Sequence, residues 1–414
     1  IAEELDVDWN KVNVVQGALD TKHFTRQVAG GSQSIRFGWD ALRQTGATTK
    51  QMLINAAAIK WNVDAATCKA SKGIITNANG DTFGYGEVVK EAALLEVPEN
   101  VQLKEIKDFT IIGKEIVNVD IDKIITGKPL FGLDYKAEGM MYASVLRPPA
   151  FGQKLDSFDD TKTKAVNGVS EIIKFGDKIA VLASSTWAAM KGKKALSAKW
   201  EKGTNLESTE DHDKILTKIL DGNKFDTRRE DGNIKKAFAN ADKVIERTYH
   251  SPFLPHNCLE PMNFYAEVTA EKVHLVGPIQ TPQWTVNRVS KLLDRKVEEI
   301  HCEMTRMGGG FGRRLYGDFA LEAAEISSLS KKPIQVIFSR EDDMTAGTYR
   351  PAIKYRIKAA LKDGKVTGYH LKEAAIDQNM YGSQTHFFPA GCIPNFKLDT
   401  ANHKSNITTG AWRA

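Results

Sequence analysis

The sequence predicts a mixed α+β protein of two or three domains, and three observations carry that reading. Its 414 residues exceed the usual size of one domain. From Ala237 onward, apolar-alternating strands and amphipathic helices follow one another as strand–helix–strand–loop–helix–strand, the order of a layered α/β arrangement. Before residue 113, long helical runs are mixed with short segments bounded by turn residues.

In chain order, residues 1–113 begin with a helical pattern (Ile1, Leu5) and an alternating strand (Val12, Val14). The polar loop "QVAGGSQSIRFG" leads into the helical run "WDALRQTGATTKQMLINAAAIKW". An Asn-Gly turn and a further helix follow in "NANGDTFGYGEVVKEAALL". Residues 114–201 alternate like half-buried strands, then read as strand, turn, strand, helix across "GVSEIIKFGDKIAVLASSTWAAMKGKKAL". The charged stretch 202–236 reads as a linker. In 237–414, "TPQWTVNRVSKLLDRK" is a helix with Thr281 as N-cap and Pro282 in its first turn. "EIHCEMT" alternates Ile300, Cys302 and Met304 against polar partners. A glycine loop, a helix over Phe319–Leu329 and the strand "PIQVIFSRED" follow.

Composition excludes several classes. Apolar content of 42% and charged content of 26% are those of an ordinary globular chain. The net charge of +5 is spread without a basic block, so nucleic acid is not an expected partner. No apolar run reaches the roughly 18–20 residues of a membrane-spanning helix. Cys68, Cys258, Cys302 and Cys392 are too far apart for a CxxC cluster or zinc motif, and read as structural thiols rather than disulfides. The chain opens inside a helical pattern and stops without a tail, as a piece of a longer polypeptide would.

The loop "RMGGGFGRRLYGD", Arg306 to Asp318, is the most informative stretch. Neither GxGxxG nor the Walker A pattern fits it, because Arg313 or Leu315 falls where a third glycine is needed and Gly312 is followed by two arginines. Its place between a strand and a helix N-terminus still suits an anion, since glycines let free backbone N–H groups approach it and Arg313 and Arg314 add positive charge. The competing reading is a tight turn with solvent-facing arginines. A second loop of this kind, "AGGSQS", offers Gly30, Gly31 and Ser32 ahead of a long helix. Together the two loops suggest a large anionic ligand held by backbone.

The segment "VGPIQTPQW…VEEIHCEMTRMGGGFGRR" resembles the molybdenum-cofactor domain of the xanthine dehydrogenase/aldehyde oxidase family, in which a Gln after a strand precedes an MGGGFG loop by some thirty residues. Here these are Gln280 and Phe311–Gly312, and Ala411-Trp412-Arg413 matches the family's Ala-aromatic-Arg element. The stretch from Thr126 through "GVSEIIKFGDKIAVLAS" resembles the family's α/β hammerhead domain. The "GGSQS" loop lies ahead of the hammerhead, a permuted order that resembles the isoquinoline 1-oxidoreductase beta subunit and related bacterial aldehyde dehydrogenases.

That resemblance implies a molybdenum hydroxylase acting on an N-heteroaromatic or aldehyde substrate with water-derived oxygen. It implies molybdopterin cytosine dinucleotide with Mo as cofactor. The expected partners are a small subunit carrying [2Fe–2S] clusters, the remaining part of the same polypeptide, and a cytochrome c as candidate electron acceptor. By the same resemblance the protein is periplasmic or membrane-associated, with a cytoplasmic location as the alternative. Gln280 and Phe311 are the implied catalytic positions; Gly30, Gly31, Ser32, Gly309, Gly310, Gly312 and Arg413 are implied to bind the cofactor alongside them. For Gln280 the bland alternative is a cap on the helix that follows Thr281. The family's Gly-x-Gly-Glu base has only a letter match here, Gly84-Tyr85-Gly86-Glu87, which reads as a surface helix start, so the base is expected outside this chain. Arg314-Leu315 in place of Lys-Glu disfavours purines, and Gly410-Ala411 in place of a Cys argues against a copper–molybdenum site. His256 and Glu260 complete no metal-ligand set and read as a buried turn histidine and a paired carboxylate. Trp284 and Trp412 read equally as substrate-channel or core aromatics. A non-catalytic scaffold of the same fold is the competing function.

Overall fold

The computed structural model describes residues 1–414 apart from 205, 380–384, 387, 388 and 414. It comprises helices and sheets in two compact units: Ile1–Gly17 with Val28–Pro129, and Ala18–Gln27 with Leu130–Ala414.

The first unit is built on one long helix, Ser34–Trp61. Its C-terminal half buries Leu53, Ile54, Ala56, Ala57 and Ala58 at helical spacing. They pack with Ile75 from a three-stranded sheet and with Val88 and Ala92 of the helix Tyr85–Ala92. The long helix stops where Asn62 turns left-handed at φ 56°. Midway along it, Gly46 admits a close crossing: a β-carbon there would lie 2.5 Å from the Ile1 carbonyl oxygen. That crossing brings in the short helix Ala2–Leu5, whose Glu3 and Glu4 are buried.

Glu3 organises the segment that packs against it. Its carboxylate accepts hydrogen bonds from the backbone N–H groups of Thr110, Ile111 and Ile112 and from the Lys104 ammonium, all at 2.7–3.0 Å. Glu4 meanwhile accepts from Arg43 and from the Lys104 N–H. Burial alone would raise the Glu3 pKa, but Lys104 and the three backbone donors outweigh it and hold the group at about 2.

The second unit has two large sheets beside the two-stranded pair of Leu155–Asp159 with Ser197–Trp200. The larger has seven strands, in order from its edge: Ile300–Met304, Val273–Gly277, Asn263–Val268, Ile334–Ile337, Met141–Leu146, Lys178–Ala183 and Val169–Phe175. Its core joins Phe264, Leu275, Cys302 and Val336 to Val286 and Val289 of the helix Pro282–Leu293 and to Phe319, Ala323 and Ile326 of the helix Asp318–Ser330. The backbone of Leu19 donates to Cys302 on the edge strand, which is how Ala18–Gln27 joins this unit. The smaller sheet orders Lys243–Ser251, Ile353–Lys362, Lys365–Ile376, Asn395–His403 and Asp226–Asp231.

Several expectations change. Val12 and Val14 form no strand; the chain makes a single 3-10 turn at Trp9–Lys11, and Val14 and Val15 stay exposed. The stretch 202–236 is folded: the helix Thr209–Asp221 buries Leu216 and Leu220 against Ala374 and Ile376, and Asp226–Asp231 pairs with Asn395–His403. Its charges lie on the solvent face of an amphipathic helix, which composition alone reads as linker. Residues 114–201 do not stand apart either. Met141–Leu146 pairs with Ile334–Ile337, so the hammerhead-like strands continue the larger sheet, and the unit boundary falls at 129/130 rather than 113/114.

The Glu3 anchor has a pH signature. Because its folded pKa lies below the ordinary value of 4.5, the stabilisation is fully present above about pH 4.5 and is lost as pH falls toward 2. Glu3→Gln should cost roughly 2–3 kcal/mol at pH 7 and progressively less as pH falls to about 2, measured by denaturant unfolding across that range.

Candidate functional site

The glycine loop connects the edge strand Ile300–Met304 to the helix Asp318–Ser330. Its backbone is unusual for its sequence. Gly309 and Gly312 both sit at φ 100°, and between them Phe311 is left-handed at φ 51°. A phenylalanine in that conformation is strained and persists only where its surroundings enforce it. The enforcement is steric and polar. A β-carbon on Gly308 would fall 2.4 Å from Glu260 Cβ, one on Gly310 2.7 Å from Gln280 Oε1, and one on Gly312 2.2 Å from the Ala411 carbonyl oxygen. No side chain other than hydrogen fits at these three positions without movement.

Behind the loop lies a charged brace. Arg314 is completely buried; its Nε donates to the Gly309 carbonyl at 2.7 Å, and its Nη2 donates to the Glu260 carbonyl at 2.8 Å and to Glu260 Oε2 at 3.2 Å. Glu260 returns to the loop by accepting from the Gly308 N–H at 2.7 Å, and also accepts from Asn263 and the Leu133 N–H. Arg313, 1% exposed, forms a two-pronged pair with Asp318 at 2.6 and 2.7 Å. Burial would raise the Asp318 pKa, but Arg313 outweighs it and holds the carboxyl below the usual range. The expectation that these arginines add charge for an anion is therefore overturned. Both are consumed inside the protein, since a buried guanidinium requires compensation nearby.

On the exposed side, the elements expected to meet do so. Gln280 is buried at the end of the strand Val273–Gly277, and its Oε1 accepts from the Gly312 N–H at 3.2 Å while its own N–H donates to the Arg314 carbonyl. That replaces the capping alternative. Thr281 occupies the N-cap position, but its hydroxyl donates to the Leu315 carbonyl instead of closing the helix. The Arg413 N–H donates to the Phe311 carbonyl at 2.9 Å, and the Arg413 guanidinium stands 5.5 Å from the Phe311 ring centroid. Tyr316 accepts from the Ala411 N–H, and His256 lies between the carbonyls of Ala411 and Thr348 at 2.8 and 3.1 Å. Burial pushes the His256 pKa down, the Ala411 contact opposing it, and the ring sits in the protein as the buried-turn reading expects. Cys258 is buried and donates to the Gly310 carbonyl.

The result is a cradle. Phe311 remains 40% exposed, and among the described residues the N–H groups of Gly309, Gly310 and Phe311 donate to no protein acceptor. Consecutive unpaired amides in a left-handed-containing turn form a concavity for anionic or oxygen-rich ligands. Trp412 Nε1 is likewise buried without a partner, beneath the Arg350 guanidinium. Trp284 is exposed. Tyr316 and Asp318 also line a cavity of about 620 Å³ together with Arg147, Phe151, Gly347 and Thr348.

The remaining predicted residues lie in the first unit. Gly31 and Ser32 are successive left-handed residues, at φ 64° and 51°, and with Gly30 they precede the N-terminus of the helix Ser34–Trp61. Glu87 is spent on capping, its carboxylate accepting from the Gly84 N–H at 2.6 Å at the start of the helix Tyr85–Ala92. The sequence reading of Glu260 as a paired carboxylate agrees with the brace, but Arg314 as its partner was missed, because nothing local links positions so far apart.

Two family models match the chain, both described as molybdopterin cofactor-binding domains, over residues 216–397 and 1–128. The membrane-bound aldehyde dehydrogenase [pyrroloquinoline-quinone] of Gluconacetobacter polyoxogenes is 28% identical over 91% of this chain and 51% of its own length. The isoquinoline 1-oxidoreductase subunit beta of Brevundimonas diminuta is 26% identical over 88% and 54%. The chain thus spans about half the length of these curated relatives. Among solved structures, quinoline 2-oxidoreductase from Pseudomonas putida 86 shares the fold with a TM-score of 0.58 at 16% identity, over 72% of this chain and 45% of that one. The aldehyde oxidoreductase of Desulfovibrio desulfuricans shares it with a TM-score of 0.59 at 14% identity, over 73% and 40%.

Glu260→Gln would leave the Arg314 guanidinium buried without its counter-charge. It should destabilise the second unit by about 3–5 kcal/mol in denaturant unfolding, and a loss below about 1 kcal/mol would show that the brace does not hold the loop.

Proposed function

Because the chain belongs to the molybdopterin-binding family of xanthine dehydrogenases and aldehyde oxidases, we propose that it is the cofactor-holding part of a molybdenum hydroxylase that oxidises an aldehyde or an N-heteroaromatic compound. The observation that carries this reading is the cradle itself. Gln280, Phe311–Gly312 and Arg413 are hydrogen-bonded into one constellation, with three glycines where a β-carbon has no room. Its open amides and projecting aromatic ring fit a large, oxygen-rich cofactor.

When bound, the molybdenum cofactor supplies two-electron hydroxylation with oxygen drawn from water. The protein's share is positional. The N–H groups of Gly309, Gly310 and Phe311 offer donors, and Gln280 holds the Gly312 amide in place. The Phe311 ring, stacked under Arg413, excludes water from one side of the site. Gly30, Gly31 and Ser32 offer a second phosphate-binding turn by their own backbone geometry. The adjoining 620 Å³ cavity has the volume for a small aromatic or aldehyde substrate. With Glu87 committed to its helix cap, the general base in this proposal comes from the remaining part of the polypeptide.

The reading extends to molybdopterin cytosine dinucleotide as the cofactor form, to a separate [2Fe–2S] subunit as electron acceptor, with a cytochrome c beyond it, and to a periplasmic or membrane-associated location. What supports these is the likeness of order and motif to the isoquinoline 1-oxidoreductase beta group.

The deciding measurement is compositional. Full-length protein, purified with its partner from a host that makes the cofactor, should contain about one molybdenum and release about one cytidine monophosphate per polypeptide on acid hydrolysis. Protein free of both would overturn the proposal in favour of a non-catalytic scaffold, and protein holding a quinone without molybdenum would overturn it in favour of quinone chemistry. In the loaded enzyme, Gln280→Ala should retain molybdenum and lower kcat on aldehyde or N-heteroaromatic substrates by about 10²-fold.

A further inference from the structure

The edge of the seven-stranded sheet carries a row of side chains that the cofactor reading does not use. Val273–Gly277 and Ile300–Met304 are parallel neighbours, with His274 directly opposite His301. Asn263–Val268 pairs with the first of these strands on its other side, with Glu267 opposite His274. Residues opposed in register point to the same face, so Glu267, His274 and His301 form one line across three strands. Glu303, two residues beyond His301, shares that face, while Ile300 and Cys302 point into the core.

The two imidazoles converge on one carboxylate oxygen. His274 Nε2 lies 2.8 Å and His301 Nε2 3.1 Å from Glu303 Oε1. The ring centroids are 5.5 Å apart with a 33° tilt, and one ligand atom from each residue lies within 4.8 Å of the others. Among the described residues this is the one trio of His, Cys, Asp or Glu side chains with such convergence. Tyr265 stands edge-on to His274 at 5.9 Å and walls the site on one side, while His301 and Glu303 are open to solvent.

We propose that His274, His301 and Glu303 form a binding site for one first-row divalent transition ion of the zinc type, separate from the cofactor cradle. Two imidazoles and a carboxylate are the ligand types such ions favour over magnesium or calcium, which take oxygen donors. Zinc–nitrogen and zinc–oxygen bonds of about 2.0–2.2 Å in a tetrahedron place ligand atoms roughly 3.3–3.5 Å apart. The present 2.8 and 3.1 Å contacts need to open by roughly half an ångström. Each Nε2 must turn its lone pair to the metal, so the ring proton moves to Nδ1 by exchange with water, and water fills the fourth position. Glu267 adds a further negative charge from the neighbouring strand. A bound ion would fasten the edge strand to its neighbour, five residues ahead of Gly308.

The experiment is a titration of the metal-free chain with Zn²⁺ against a chromophoric chelator, repeated with Co²⁺ to read its visible absorption. One equivalent should bind with a Kd on the order of 10 micromolar or tighter, and Co²⁺ should give the intense bands of a tetrahedral nitrogen–oxygen site. His301→Ala and Glu303→Gln, both at open positions, should each weaken binding by at least about tenfold with unchanged unfolding of the metal-free protein. Absence of a saturable site in the parent chain would overturn the proposal. So would unchanged affinity in both variants, which would place the ion elsewhere, for example at His212, Glu207 and His403.

Discussion

The ion pair between Arg314 and Glu260 is the constraint on which the functional surface depends. Two charges taken out of water are costly unless each finds several partners, and here the partners are backbone groups of the glycine loop itself: the Gly308 N–H on Glu260 and the Gly309 carbonyl on Arg314. The requirement to satisfy buried charge thus dictates where two consecutive loop residues lie. Once they are placed, the left-handed Phe311 follows, and with it the outward row of amides.

The same loop is fixed from the front by steric exclusion. Gly310 backs onto Gln280 and Gly312 onto the Ala411 carbonyl, so glycine is required at both by space, and at Gly312 by its φ of 100° as well. Arg313 ties the loop's exit to the first turn of the helix Asp318–Ser330 through Asp318. Rigid support behind and open donors in front are what a site needs if it is to bind by backbone rather than by flexible side chains.

Much of this was legible in the sequence. Periodicity located the long helix Ser34–Trp61, the hairpin around Gly176, and the helices after Thr281 and Gly317, because burial on one face leaves a repeating pattern. The spacing of Gln280 and Phe311, with Ala411-Trp412-Arg413, identified residues that the fold brings together. Where the reading failed, the cause was tertiary. Arg313 and Arg314 read as solvent-facing because charge usually is, and only residues 54 and 5 positions away reveal otherwise. The helix Thr209–Asp221 read as linker because its apolar face is narrow beside its charges. The trio at the sheet edge escaped notice because His274 and His301 meet only through a parallel register, which no local pattern announces.

The contact between Gly312 and Ala411 has a consequence for how the molecule comes into being. The cradle draws on Leu133, Glu260, Gln280, the glycine loop and Ala411–Arg413, so its last strut is made about a hundred residues after the loop it secures. During synthesis the loop leaves the ribosome well before Arg413 does, and bringing such distant segments together carries a loop-closure cost that local helices avoid. The site is therefore complete only when the segment ending at Arg413 has docked on the glycine loop, and a ligand that needs the whole cradle needs that long-range closure to have been made first.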